Sequence, residues 1–144
     1  MVLQETFVVY DCIQYDSEVT ASKSYNVGLN DIDFYLEFVV RPTDSNSTAY
    51  INITDGSNHY LQIGDLYGST NMNCGVNWTN GTFYGKAISL DTDTKVTLRR
   101  TGTNAVLTVG ESSYNISNMN ITCTTLLNAV ISNNSIKNFI IYPL

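Results

Sequence analysis

Apolar and polar positions alternate in short runs along this chain. The runs recur roughly every 8–12 residues, the spacing of an all-β sandwich or barrel. The clearest run covers residues 34–41: Phe34, Leu36, Phe38 and Val40 fall on one face, and Tyr35, Glu37, Val39 and Arg41 on the other. Pro42, which has no N–H to give a ladder, ends it. Residues 49–53 and 59–63 flank an Asp55-Gly56 pair that predicts a hairpin, and residues 74–78 and 82–90 flank Asn80-Gly81, a second one. Residues 95–100 alternate again, with Val96 and Leu98 on one face and Lys95, Thr97 and Arg99 on the other. Gly102 turns the chain into residues 105–109, and Gly110-Glu111-Ser112 turns it into residues 114–117. Residues 7–13 form an early run; residues 126–132 and 136–142, separated by Asn133-Asn134, form the last two.

No stretch sustains helical spacing with caps, and residues 118–127 are the one candidate for a short turn or helix. Neither a Pro- or Gly-rich linker nor an internal repeat divides the chain, so residues 1–144 read as a single domain. Roughly 11 or 12 strands are too many for one flat sheet, and two packed antiparallel sheets are expected.

Composition sharpens this picture. Together 17 Asn, 17 Thr and 13 Ser make 47 of the 144 residues, while charged residues are 14%. Abundant Thr, Val, Ile and Tyr with little Ala favour strands over helices. A disordered chain would carry more charge and fewer β-branched and aromatic residues. A net charge of −6 argues against nucleic acid. No apolar run approaches the roughly 18 residues of a membrane helix, so no membrane insertion is expected. A polar surface with so few charges can pack against neighbours without heavy desolvation of ions.

The start, Met1-Val2-Leu3-Gln4-Glu5-Thr6, lacks a basic region followed by an apolar core, and no signal peptide is expected. The odd count of cysteines, Cys12, Cys74 and Cys123, cannot complete a disulfide framework. Buried thiols are expected, with a Cys74–Cys123 bridge as the alternative. The lone His59 has no Cys neighbour, so no zinc site is expected. Asn-x-Ser/Thr triplets begin at Asn46, Asn52, Asn77, Asn80, Asn115, Asn120 and Asn133. Several lie inside predicted strands, and a composition this rich in Asn, Ser and Thr generates them without glycosylation.

From Phe34 onward the order of pieces resembles the concanavalin A-like, laminin-G-like jelly roll. Residues 34–43 look like that family's early core strand, and residues 49–66 like its central hairpin. Residues 95–110, with Arg99, Gly102, Leu107 and Val109, are similar to a hairpin that ends Leu-x-Val-Asp-Gly; here Gly110-Glu111 replaces the Asp-Gly. Residues 136–142 look like the closing strand, with Tyr142 at its end. The resemblance covers about 110 residues and implies an all-β, two-sheet antiparallel jelly-roll β-sandwich. It also implies a range of roles, since the family includes lectins, carbohydrate-binding modules, glycanases, adhesion domains and viral appendages.

Candidate chemistry is sparse. Glycoside hydrolysis needs two carboxyl groups about 5–9 Å apart. Asp31, Asp33 and Glu37 come closest to the alternating acids of glycanases with this fold, but the strand proper starts at Phe34 and leaves Asp31 and Asp33 in a loop. His59 has no nucleophile motif beside it. Neither a catalytic nor a metal site is therefore expected. Asp91 with Asp93, or Asp55 with Asn58, offers too few oxygens for more than a minor calcium alternative.

Sugar recognition stacks an aromatic ring on a C–H face while amides and hydroxyls read the sugar's own hydroxyls. Residues 67–84 hold these parts, and the candidate ligand-binding residues are Trp78, Tyr84, Asn77, Asn80 and Tyr67, with Asn71, Asn73 and Phe83 nearby. Tyr60 and Tyr114 are expected to line the same sheet face. The sequence reads as a non-catalytic, surface-exposed binding or adhesion domain, virus-encoded and directed at glycans on a host cell surface. The alternative is a structural virion component, a capsid decoration or tail appendage acting as an oligomerisation module; a glycoside hydrolase comes third. The expected partner is a cell-surface glycan or a virion or fibre protein, the expected assembly a homo-oligomer, and the expected location the virion or cell surface.

Overall fold

A computed structural model of the chain describes residues 13–15, 23–25, 33–43, 49–54, 60–67, 73–78, 83–119, 126–131 and 134–144. The described residues form strands β1 (Ile13–Tyr15), β2 (Lys23–Tyr25), β3 (Phe34–Pro42), β4 (Ala49–Thr54), β5 (Tyr60–Tyr67) and β6 (Asn73–Trp78), followed by β7 (Phe83–Ala87), β8 (Thr94–Thr101), β9 (Asn104–Val109), β10 (Ser112–Ile116), β11 (Leu126–Ile131) and β12 (Asn134–Pro143). They build two six-stranded sheets, one in the order β1-β12-β3-β8-β9-β10 and the other in the order β2-β11-β4-β5-β6-β7. Every pairing is antiparallel. The result is the two-sheet β-sandwich that the alternation requires, and no helix occurs among the described residues.

Period-two patterning gives each sheet one buried face. In β3, Phe34, Leu36, Phe38 and Val40 are fully buried, and Val96, Leu98, Leu107 and Val109 continue that face across β8 and β9. Opposite them stand Ile51, Leu61, Ile63 and Cys74 of the second sheet, in one continuous apolar cluster. Each large side chain fully buried there contributes roughly 1.5–3 kcal/mol.

One irregularity keeps the closing strand in phase. Register shifts between Lys137 and Ile140, and Asn138 takes a φ of 56°. This bulge lets Ile136 and Phe139, three residues apart, both reach the core. Tight turns at Gly102 (φ 61°) and Gly110 (φ 59°) join β8 to β9 and β9 to β10.

Several boundaries differ from expectation. β7 ends at Ala87, because Ile88 and Ser89 leave the ladder before the Leu90-Asp91 turn. Asp91 adopts φ 53° there and donates its backbone N–H to the Pro42 carbonyl at 2.7 Å. β2 was not predicted; its three residues lack an apolar run and pair only at the end of the second sheet. Of the proposed short helix at residues 118–127, Asn118 and Met119 are irregular, and Leu126 and Leu127 belong to β11. The early run at residues 7–12 lies outside the described residues, as do Cys12 and Cys123 and hence the candidate bridge. Cys74 is buried in the core.

Candidate functional site

The outward faces of the two sheets differ in chemistry, and register shows how. In the second sheet one rung crosses every strand: Ser24, Asn128, Asn52, Gln62, Asn77 and Phe83. Four consecutive members are amides. Their neighbours along the strands, Ile51, Leu61 and Ile63, are buried in the core, while Asn52, Gln62 and Phe83 are half-buried on the opposite face. With strands about 4.8 Å apart, the four amides span roughly 14 Å.

The next rung on that face is Val130, Tyr50, Gly64, Gly75 and Gly85. Three adjacent glycines add no side chain of their own here, where Gly64 and Gly75 are buried and Gly85 half-buried, and their backbone demands it. Gly64 has φ 136° and Gly85 φ 156°, conformations L side chains rarely adopt. A Cβ on Gly75 would run into the Tyr84 carbonyl and stand 2.6 Å from Gly85 Cα. The Phe83 ring lies over the end of this row: its Cζ would be 2.8 Å from a Cβ on Gly85. Tyr50 flanks the other end, half-buried. Further rungs on this face add Leu126, Thr54 and Tyr60 on one side and Tyr67, Asn73 and Ala87 on the other. None of the described residues on these rungs is Asp, Glu, Lys or Arg.

Within this uncharged face one polar atom stands out. The Oδ1 of Asn52 is buried and has no hydrogen-bond partner. An unsatisfied buried acceptor costs about 1–3 kcal/mol, and such atoms are rare in native folds.

The residues singled out from sequence are divided among positions. Asn77 belongs to the amide rung, and Tyr67 to the rung with Asn73. Trp78 pairs in register with Leu61, which is fully buried, so it stands one rung away from Asn77. Tyr84 pairs with Val76 and packs, half-buried, against the core cluster. Asn80 lies outside the described residues, as do Asn71 and His59. The expectation that Tyr60 and Tyr114 share a sheet face is corrected: Tyr60 is in β5 of the second sheet and Tyr114 in β10 of the first, packed against the core.

Asn52, Gln62, Asn128, Tyr50 and the three glycines escaped the sequence reading. The signal was the hairpin register. A loop at residues 55–59 pairs Thr54 with Tyr60 and hence Asn52 with Gln62. A loop at residues 54–58 breaks that match.

The first sheet's outward face is charged. Asp33 Oδ1 accepts the Gly102 backbone N–H at 2.6 Å and so braces the β8–β9 turn. Glu37 Oε1 accepts the Tyr35 hydroxyl at 2.7 Å and lies 3.3 Å from Lys95 Nζ. Burial first, and then the Glu37 hydrogen bond, push the Tyr35 phenol up to about 12. Asp93 is 2.7 Å from Lys137 Nζ and 3.4 Å from Arg41, and chiefly the Lys137 hydrogen bond holds its carboxyl below the usual range. Both β3-side acids are thus engaged in structural bonds. No group of three His, Cys, Asp or Glu side chains comes together among the described residues.

No family model matches the chain, and no curated protein does either. The laminin-G-like part of the resemblance therefore rests on the strand pattern. Solved structures do match. The galectin LEC-6 of Caenorhabditis elegans aligns with a TM-score of 0.67 at 9% identity, over 94% of this chain and 98% of its own. The carbohydrate-binding module CBM66 of Bacillus subtilis aligns at 0.61 with 8% identity, over 90% of each chain. CG-16, a homodimeric agglutinin from chicken liver, aligns at 0.57 with 11% identity, over 83% of this chain and 98% of its own. At such identities the likeness concerns the fold: this chain is a jelly-roll β-sandwich of the kind found in lectins and carbohydrate-binding modules.

Proposed function

We propose that the protein is a non-catalytic glycan-binding domain whose site is the uncharged outward face of the second sheet. The observation that carries this reading is the amide rung of Asn128, Asn52, Gln62 and Asn77, with its unpartnered Asn52 Oδ1. A carboxamide offers two donors and an acceptor, the complement of the paired hydroxyls of a sugar. A ligand hydroxyl donating to Asn52 Oδ1 relieves an acceptor that the fold leaves unsatisfied. Phe83 and Tyr50 border the glycine row and supply apolar surface for a C–H face. The absence of charge from the described rungs selects a neutral saccharide. The galectin, the carbohydrate-binding module and the agglutinin share the architecture, and the names of all three speak of sugar binding or agglutination. Exposure on a cell or particle surface fits such a role.

The test is an array of neutral glycans followed by titration calorimetry. Binding to a neutral oligosaccharide is expected, weakened at least about tenfold by Gln62→Ala, which corresponds to one lost hydrogen bond. EDTA is expected to leave it unchanged, because no carboxylate lies on the described rungs of this face. An array without a neutral ligand, or binding that survives both Gln62→Ala and Asn77→Ala, overturns the reading.

A further inference from the structure

We infer that the outward face of the first sheet is a second ligand surface, built to take the oxyanion of an acidic saccharide. One rung on that face reads Tyr142, Tyr35, Arg99, Val106 and Asn115 across five adjacent strands. Tyr35 and Tyr142 form a tilted pair with ring centroids 5.4 Å apart. Arg99 stands opposite Tyr35 on the next strand, exposed, and makes neither an ion pair nor a hydrogen bond with any described residue. Val106, beyond it, is 42% exposed. Two aromatic rings, a guanidinium and an exposed apolar side chain thus stand in line.

Charge supports an acidic occupant. The chain as a whole carries −6, yet this face gathers Arg41, Lys95, Arg99 and Lys137, four of the seven Lys and Arg residues. Its acids are already occupied: Glu37 by Lys95 and the Tyr35 hydroxyl, Asp93 by Lys137 and Arg41. Asp33 braces Gly102, and Glu111 sits exposed in the β9–β10 turn. Among the described residues of this face, Arg99 is the cation left over. Its planar fork matches a carboxylate or a sulfate bidentately, while the tyrosine pair receives the sugar's apolar face. The described rungs of the second sheet's outward face offer the opposite: amides, aromatics, glycines and no charge. This surface does not depend on the neutral site, and either can fail alone.

The full-length protein labelled with 15N is titrated at low ionic strength with methyl glucuronide, with a sulfated methyl glucoside and with the neutral methyl glucoside. One or both acidic sugars are expected to shift the resonances of Arg99, Tyr35 and Tyr142 saturably, and which one does so names the oxyanion. The neutral glucoside is expected to leave them in place. Arg99→Ala is expected to weaken binding about tenfold and Arg99→Lys less, since an ammonium keeps the charge and loses the fork. Gln62→Ala is expected to change nothing here. Because Arg99 is exposed, its variants keep the unfolding midpoint. The inference fails if neither acidic sugar gives a saturable shift. It fails equally if Arg99→Ala binds as tightly as the native chain, or if the neutral glucoside moves the same resonances.

Discussion

The two sheets of this sandwich are alike inside and unlike outside. Inward, both present unbroken rows of aliphatic and aromatic side chains to one core. Outward, the first sheet carries tyrosines, threonines and paired ions, whereas the described rungs of the second carry amides, aromatics and three glycines in a row. Among the described residues, glycine placement follows the same division. In the first sheet Gly102 and Gly110 serve turns; in the second, Gly64, Gly75 and Gly85 stand mid-strand, where glycine weakens a sheet and earns no turn. A fold needs the inner faces to agree. It places no such demand on the outer ones, which are free to differ.

The most direct way to break this comparison is to give the second sheet an ordinary side chain. Gly75→Val places a Cβ against the Tyr84 carbonyl and 2.6 Å from Gly85 Cα, backbone atoms that cannot swing aside. We expect a loss of about 3 kcal/mol or more in urea unfolding. Thr108→Val on the outward face of the first sheet exchanges a half-buried side chain whose hydroxyl makes one 3.4 Å contact with Ser113, and should stay within about 0.5 kcal/mol. Gly102→Ala falls between, near 1 kcal/mol by roughly the cost of a left-handed residue, since nothing lies within 4 Å of its Cβ. Equal losses for Gly75→Val and Thr108→Val would remove the distinction between the faces.

Asn52→Leu sharpens it from the side of function. The Asn52 Oδ1 has no partner in the fold, so replacing the amide by an apolar group of similar size is expected to leave stability unchanged or raise it by up to about 1 kcal/mol. Glycan affinity should fall about tenfold at the same time. A matching loss of stability would mean that the amide serves the sheet and not a ligand.

The inner faces were legible in the sequence because burial imposes strict alternation: Phe34, Leu36, Phe38, Val40, Val96 and Leu98 all fall where the pattern puts them. The bulge in β12 was also foreshadowed, since Ile136 and Phe139 break alternation by one residue. Arg100, buried between Phe34 and Ala105 in register, was not, because a charged residue at the end of an alternating run looks solvated. The outer faces were less legible. The amide rung joins residues from strands far apart in sequence, Asn52, Gln62, Asn77 and Asn128, and no local spacing connects them. The compact group at residues 67–84 was attractive because it is local. Yet Asn77 and Trp78 are adjacent in one strand, and alternation puts neighbours on opposite faces.

The charged face predicts a displaced titration. Tyr35 holds its proton to about 12, above the ordinary phenol value of 10.0, mainly through burial and then through its bond to Glu37. A raised value means that the folded state keeps a proton the unfolded chain releases. The contribution is therefore complete below about pH 10 and is lost as pH rises towards 12. Phenolate absorbance should show a late-titrating component that disappears in Tyr35→Phe and titrates earlier in Glu37→Gln. If Glu37→Gln leaves the late titration in place, burial alone sets it.

The smallest effect belongs to Asp93. Its side chain is exposed, and its two cationic neighbours act close to water, where such pairs contribute little to stability. Lys137→Met removes the shorter contact, and the Asp93 carboxyl should move up towards its ordinary 3.8. The sign follows from a depressed native value: any stabilisation is present above the unfolded value and fades as pH falls through the folded one. The unfolding midpoint at neutral pH should not change resolvably, whereas the Asp93 resonance should titrate at higher pH than in the native chain. A clear loss of stability at neutral pH would show that the ions of the first sheet's outward face hold the fold together. They would then be unavailable to arrange a surface for an acidic ligand.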